Sequence, residues 1–145
     1  MTCSSNSLGK HMILELYGCS KELIDDEVAV HQILLEAARL AKASVVTSNF
    51  HKFSPQGVSG MIIIEESHFS IHTWPENNYA AVDMFTCGDI LDNNIAVEYI
   101  KEKFEATSIY MVDMRRGILD GDANLKLNEL HHTVSSNVKE VKENA

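Results

Sequence analysis

Hydrophobic positions along the chain follow two different periods, and the switches between them mark the elements. Residues 10–17 (KHMILELY) carry aliphatics at alternate or adjacent positions and stop at Gly18, the pattern of a strand. Ser20 is placed to cap a helix. Ile24, Val28, Leu35 and Ala38 recur at helical spacing, with His31 between them, so 21–42 is expected to form one amphipathic helix. Four short runs follow: 44–53, rich in Val, Thr and aromatics, then 58–65 (VSGMIIIE), 69–74 and 79–86. Ser54-Pro55-Gln56-Gly57 separates the first two runs and Pro75-Glu76-Asn77-Asn78 the last two, as in a meander of antiparallel hairpins. Asp92 offers a cap for a second helix carrying Val97, Ile100 and Phe104, and 107–113 (TSIYMVD) reads as a closing strand.

The order β-α-β-β-β-β-α-β predicts an α+β two-layer sandwich, one antiparallel sheet with two helices on one face. The uncovered sheet face needs burial of its own, so sheets are expected to pack against each other in a dimer. The domain is expected to span 1–117, followed by a polar tail over 118–145 that ends in KEVKENA.

Composition removes several classes of function. A formal charge of −9 with no stripe of Lys and Arg disfavours nucleic acid. No apolar run reaches the roughly 18 residues of a membrane span, and the first seven residues lack the charged-then-apolar pattern of a secretory signal, so a cytoplasmic location is expected. Cys3, Cys19 and Cys87 are an odd, sparse set without a CxxC, which suggests reduced thiols. Among seven histidines there is no HExxH; His68 and His72 are four apart, a spacing that gathers ligands on a helix but not on a strand, and no metal site is expected.

The stretch Glu65-Glu66-Ser67-His68-Phe69-Ser70-Ile71-His72-Thr73-Trp74-Pro75-Glu76 carries the most chemistry. A strand period puts His68, Ser70, His72 and Trp74 on one face and Phe69, Ile71 and Thr73 on the other. Taken alone, that pattern fits a functional face and a half-solvated structural strand alike. The wider sequence, however, resembles the prokaryotic S-adenosylmethionine decarboxylases. The matching blocks are Leu8-Gly9-Lys10-His11, Val46 to Phe53 (VTSNFHKF), Gly57-Val58-Ser59-Gly60, Glu66-Ser67-His68, Ile71 to Glu76 (IHTWPE), Tyr79 to Asp83 (YAAVD) and Phe85-Thr86-Cys87-Gly88, in the family's order over about Leu8 to Arg116.

The resemblance implies a pyruvoyl enzyme made as a zymogen. Loss of CO2 from an α-amino acid leaves a carbanion that needs an electron sink, and no phosphate-cradling glycine loop for pyridoxal phosphate is present. In the family an internal serine supplies the sink: Ser67 would attack the carbonyl of Glu66, pass through an ester, and end as a pyruvoyl group whose ketone forms the Schiff base with substrate. Autocatalytic cleavage would give fragments 1–66 and 67–145.

By the same resemblance Ser59 and His72 are the processing pair, His72 accepting the proton, and Cys87 is the acid that returns a proton to Cα after CO2 leaves. Imidazole and thiol both exchange protons near neutral pH. Their plain alternatives are a half-buried strand histidine and a small buried thiol. Phe53 matches the position that stacks on adenine, Glu76 is placed to accept from ribose hydroxyls, and Trp74 to shape the pocket; each also fits ordinary packing or a turn. The implied product is decarboxylated S-adenosylmethionine for spermidine biosynthesis. Decarboxylation of arginine or ornithine on the same scaffold is the alternative, since Ser59, Ser67, His72 and Cys87 make the cofactor without choosing the substrate. The family's subunits pair, with active sites near where two protomers meet, so a homodimer is implied.

Overall fold

The computed structural model describes residues 7–87 and 90–118. Alternation along β1 (Ser7–Tyr17) turns Met12, Leu14 and Leu16 inward and leaves His11, Ile13, Glu15 and Tyr17 on the other side. Gly18 ends the strand at φ +68, where an added Cβ would fall 2.1 Å from Thr107 Oγ1. The remaining strands are β2 (Val45–Lys52), β3 (Val58–Ile64), β4 (Ser67–Trp74), β5 (Tyr79–Thr86) and β6 (Ser108–Ile118). All pair antiparallel in one sheet ordered β2-β3-β4-β5-β1-β6. The α+β sandwich expected from the pattern is therefore found, and β6 extends the predicted last strand by five residues to pair along the whole of β1.

The single helix expected over 21–42 is two. Helix α1 (Lys21–Asp25) ends at Asp26, whose carboxylate then caps α2 (Glu27–Leu40) by accepting from the Val28 and Ala29 N–H groups at 2.9 and 3.1 Å. Ser20 makes no side-chain cap bond. The restart resets the helical phase, so Val30, Leu34, Ala37 and Ala38 face the core while Val28, expected inside, is 64% exposed. Helix α3 (Asn93–Lys103) follows the prediction: Asp92 accepts from the Ile95 N–H, and Val97, Ile100 and Phe104 are buried.

These helices cover one sheet face, where Met12, Leu14, Leu16, Ile62, Phe69, Ile71, Val82 and Met84 join them in one core. Each fully buried large side chain contributes about 1.5–3 kcal/mol. Phe50 lays its ring over Gly60 on the neighbouring strand so closely that a Cβ there would sit 2.0 Å from the ring.

One buried polar side chain ties the two layers together. Thr73 Oγ1 donates to the Ile24 carbonyl at the end of α1 at 2.7 Å and accepts from the Val58 N–H at 2.8 Å. Replacing Thr73 with Val keeps the shape but strands both backbone groups, and is expected to lower the unfolding free energy by about 2 kcal/mol. The midpoint of urea unfolding at unchanged slope measures it; an unshifted midpoint would show that the two groups find other partners.

Candidate functional site

The turn between β3 and β4 contains only Glu65 and Glu66, because Ile64 pairs directly with Ser67. Two-residue hairpins normally place glycine or asparagine at positive φ within the turn. Here neither glutamate has a positive φ, and the strain falls on Ser67 at φ 149, outside the usual range of a side-chain-bearing residue. Ser67 is therefore the first residue of a strand rather than part of the loop that the expected run over 69–74 left before it. Its hydroxyl lies 3.3 Å from Nδ1 of the adjacent His68.

The ladder to β5 continues past Ser67, which pairs with Thr86. One step further, the Cys87 N–H donates to the Glu66 carbonyl oxygen at 2.8 Å. That hydrogen bond polarises the peptide between Glu66 and Ser67 and would stabilise negative charge developing on the same oxygen. The Glu66 side chain is also held, accepting from the Ser44 N–H at 3.1 Å. Cys87 is half-buried, whereas Cys19 sits in the core and its thiol is pushed up to about 11 by burial, against opposing hydrogen bonds from backbone groups of Cys19 and Ala80. A core thiol of that kind is inert; Cys3 lies outside the described residues.

The other predicted residues gather at the opposite end of β4. Ser59 and His72 are cross-strand partners, and Ser59 Oγ lies 2.7 Å from His72 Nδ1. Trp74 packs beside His72 and Tyr79 with ring centroids 6.3 and 5.3 Å away and is 40% exposed. Phe53, just after β2, is 46% exposed and sets its ring edge-on to His51. Glu76 is exposed in a single 3-10 turn, Pro75–Asn77. A depression of about 140 Å³ lined by His11, Ile13, His72, Ala81, Val82 and Asp83 lies between the two ends. A larger hollow of about 360 Å³ beside Lys10, Lys42 and Asn93 contains none of the predicted residues.

The residues predicted to form the machinery are thus split between the two ends of β4. His72 stands five residues beyond Ser67 on one extended strand, a separation of about 17 Å at the rise of a β-strand. No side-chain rotation closes that distance.

Between the two ends lies a polar network that sequence patterning did not identify. Asp83 Oδ1 accepts from His11 Nε2 and His68 Nε2, both at 3.1 Å, and Oδ2 from Ser70 Oγ at 2.6 Å. Burial raises the Asp83 carboxyl, but hydrogen bonds from Ser70, His11 and His68 outweigh it and hold the group below its ordinary range. Arg116 Nη1 donates to His11 Nδ1 at 3.2 Å, with its guanidinium 4.6 Å from the Phe85 ring. His11, His68 and Asp83 also bring three metal-type ligand atoms within 4.8 Å of one another, an arrangement the mutual hydrogen bonds account for. Alternation gave the face of His68 on its own strand; the pairing of β5 with both β1 and β4 brings His11, His68 and Asp83 together.

Comparison with known proteins matches residues 10–117 to the family described as S-adenosylmethionine decarboxylase. A relative named S-adenosylmethionine decarboxylase proenzyme, from Moorella thermoacetica, is 47% identical over 114 residues, 79% of this chain and 91% of its own. One of the same name from Pyrococcus furiosus is 46% identical over 118 residues, 81% and 85% of the two chains. The crystal structure of the adenosylmethionine decarboxylase from Aquifex aeolicus superposes with a TM-score of 0.75 at 33% identity, covering 83% of this chain and 99% of that one.

The loop that carries Phe53 hangs on Asp25, which accepts from the Gly57 N–H at 2.8 Å and from Lys52 Nζ, while the Phe53 N–H closes the loop on the Gly57 carbonyl at 2.8 Å. Those bonds, the Lys52 contact first, hold the Asp25 carboxyl below its usual range. Asp25→Ala removes both bonds and is expected to speed amide exchange at Phe53 and Gly57 by at least about tenfold, the effect of the Gly57 N–H losing its carboxylate acceptor. Protection in β4 and β5 should stay unchanged; unaltered exchange in the loop would show that Asp25 does not hold it.

Proposed function

We propose that this chain, which belongs to the S-adenosylmethionine decarboxylase family, makes its own cofactor by cutting itself between Glu66 and Ser67. It is a carboxy-lyase that acts on S-adenosylmethionine. The names of relatives at 44–48% identity favour that substrate over arginine or ornithine. The observation that carries the self-cleavage reading is the strained Ser67 at φ 149, beside a Glu66 carbonyl held at 2.8 Å by the Cys87 N–H.

The residues present fit a group built from Ser67. Ser67 lies at the mouth of a hairpin, so a new chain end there can form without unpairing β4 from β5. The Cys87 N–H is aimed at the oxygen that becomes an oxyanion when Ser67 Oγ adds to the Glu66 carbon. His72, hydrogen-bonded to Ser59, takes the Ser67 α-proton and drives elimination of the 1–66 fragment as a carboxylate. Elimination leaves a dehydroalanine at residue 67; its imine tautomer adds water and loses the Ser67 nitrogen as ammonia, and the pyruvoyl group so formed would supply a ketone conjugated to a carbonyl, an electron sink for the charge left by CO2. The Cys87 thiol, adjoining the same turn, returns a proton to the substrate Cα. Phe53, Trp74 and Glu76 provide aromatic faces and a carboxylate suited to an adenine, a ribose and a cationic sulfonium.

Because Ser67 and Cys87 sit at one end of β4 and Ser59, His72, Trp74 and Glu76 at the other, each complete site draws its two halves from two chains. An isologous pair brings the Ser67 end of one sheet to the His72 end of its partner, twice. The uncovered sheet face supplies the surface: Tyr17, Met61, Ile63 and Trp74 all stand on it between 38% and 43% exposed.

Intact mass and denaturing electrophoresis test the cleavage. The native chain should yield two fragments, 1–66 and a 67–145 piece blocked at its N-terminus, and Ser67→Ala should remain one chain of 16.2 kDa. Continued cleavage in Ser67→Ala would refute the assignment.

The shared site has its own test. Ser67→Ala and His72→Ala chains, each uncut alone, are expected to complement when coexpressed, cutting about half of the His72→Ala chains if dimers pair at random. Mixed dimers that stay whole would place the entire site within one chain. Release of labelled CO2 from S-adenosylmethionine, and none from arginine or ornithine, checks the substrate.

A further inference from the structure

We propose that His68 is the base that opens self-cleavage, taking the Ser67 hydroxyl proton and handing it to the departing Ser67 nitrogen, with Asp83 and His11 holding its ring in place. This inference rests on the self-cleavage reading above and assigns a step that Ser59 and His72 leave without a base within reach in the same chain.

Neighbours on a strand point to opposite faces, so the side chains of Ser67 and His68 should not meet. They meet because Ser67 adopts φ 149, which leaves Oγ 3.3 Å from His68 Nδ1. The other ring nitrogen, Nε2, lies 3.1 Å from Asp83 Oδ1. An ionised carboxylate only accepts, so the proton of neutral His68 resides on Nε2 and the Nδ1 lone pair faces the hydroxyl. Serine, imidazole and carboxylate are thereby connected in the order that activates a nucleophile.

The surroundings keep this tautomer. The Arg116 guanidinium donates to His11 Nδ1, so His11 also carries its proton on Nε2 and also donates to Asp83 Oδ1. Ser70 donates to Oδ2. With donors from β1 and β4 converging on it, Asp83 stays a carboxylate, and it can steady a positive His68 once the proton has moved.

The step balances within the chain. The Ser67 O–H bond breaks, its proton passes to His68 Nδ1, and Oγ bonds to the Glu66 carbonyl carbon while the Cys87 N–H holds the oxyanion. When the Glu66–Ser67 C–N bond then breaks, His68 gives the proton to the freed Ser67 nitrogen, leaving an ester and an amine. His72 acts only afterwards, on the α-proton. His68 touches a reacting atom and is catalytic; Asp83 and His11 act through it and are positioning residues.

The two histidines should therefore fail at different stages. Full-length His68→Ala and His68→Gln chains are expected to self-cleave roughly 10²- to 10⁴-fold more slowly than the parent, the usual span for a lost acid–base group. Hydroxylamine, which cleaves esters but not peptides, should release fragment 1–66 from His72→Ala, where the ester accumulates, and nothing from either His68 variant. Free imidazole should restore cutting to His68→Ala, where the ring has left space, and not to His68→Gln. His68 variants that cut within threefold of the parent would overturn the proposal, as would variants as sensitive to hydroxylamine as His72→Ala. Failure of imidazole to restore any cutting to His68→Ala would assign the loss to structure and overturn it too. These results leave the self-cleavage reading standing, whereas a parent chain that never cuts removes both.

Discussion

The constraint on which this protein's chemistry depends is the register of β4. Antiparallel pairing fixes Ser59 opposite His72 near one end of that strand and Ser67 opposite Thr86 at the other. Backbone hydrogen bonds on both sides make the strand a rigid spacer, and the four residues between Ser67 and His72 cannot fold back on themselves. On the proposed reading a single domain presents two half-sites facing the same open surface. Pairing two such surfaces about a two-fold axis would serve both needs at once: it would cover apolar side chains and complete two sites.

The open face is graded to suit this. Toward the His72 end it carries rings: Tyr17 and Tyr79 lie 5.1 Å apart, Trp74 packs on Tyr79, and Tyr110 meets Tyr17 edge-on at 5.8 Å, with the Tyr17 and Tyr79 hydroxyls directed at Glu15. Burial, with Glu15 next, raises the Tyr79 phenol well above its usual range, so it remains a donor. Toward the Ser67 end the face carries the imidazole and carboxylate network centred on Asp83. The sheet thus holds the rings and the imidazole–carboxylate network at fixed separation on one surface.

Much of the fold was legible from period alone. Short apolar runs bounded by turn residues located the six strands found among the described residues, and the α3 stripe of Val97, Ile100 and Phe104 was read correctly because nothing interrupts its phase. The α1–α2 break was missed because Asp25-Asp26-Glu27 looks like one polar turn of a continuous helix; the cue was Asp26 itself, a strong N-cap placed just before a helix-forming run. The strand order was not legible, since inserting β1 between β5 and β6 leaves no trace in local pattern. For the site, motif resemblance named Ser59, Ser67, His72 and Cys87, and the structure unites them only in pairs. His68 was placed on the polar face of its strand, with no step assigned to it. Only the φ of Ser67 reveals the contact between Ser67 and His68, and a backbone angle of that kind is set by the two-residue turn it adjoins rather than by composition.

The same topology answers a problem that self-cleavage creates, namely how the halves of a cut chain stay together. The proposed cleavage after Glu66 would assign β1, β2 and β3 to one fragment and β4, β5 and β6 to the other. Were these contiguous in the sheet, a single ladder would join the fragments. Instead β1 of the first fragment lies between β5 and β6 of the second, while β3 pairs with β4. The fragments therefore share three ladders, β1 with β5, β1 with β6 and β3 with β4, and both contribute to a common core in which Leu14 and Ile62 lie with Met84 and Ile100. Separating them means unfolding both. A strained bond at the tip of one hairpin can thus be broken with little consequence for stability, because at that point the chain is held by its neighbours rather than by its own covalent continuity.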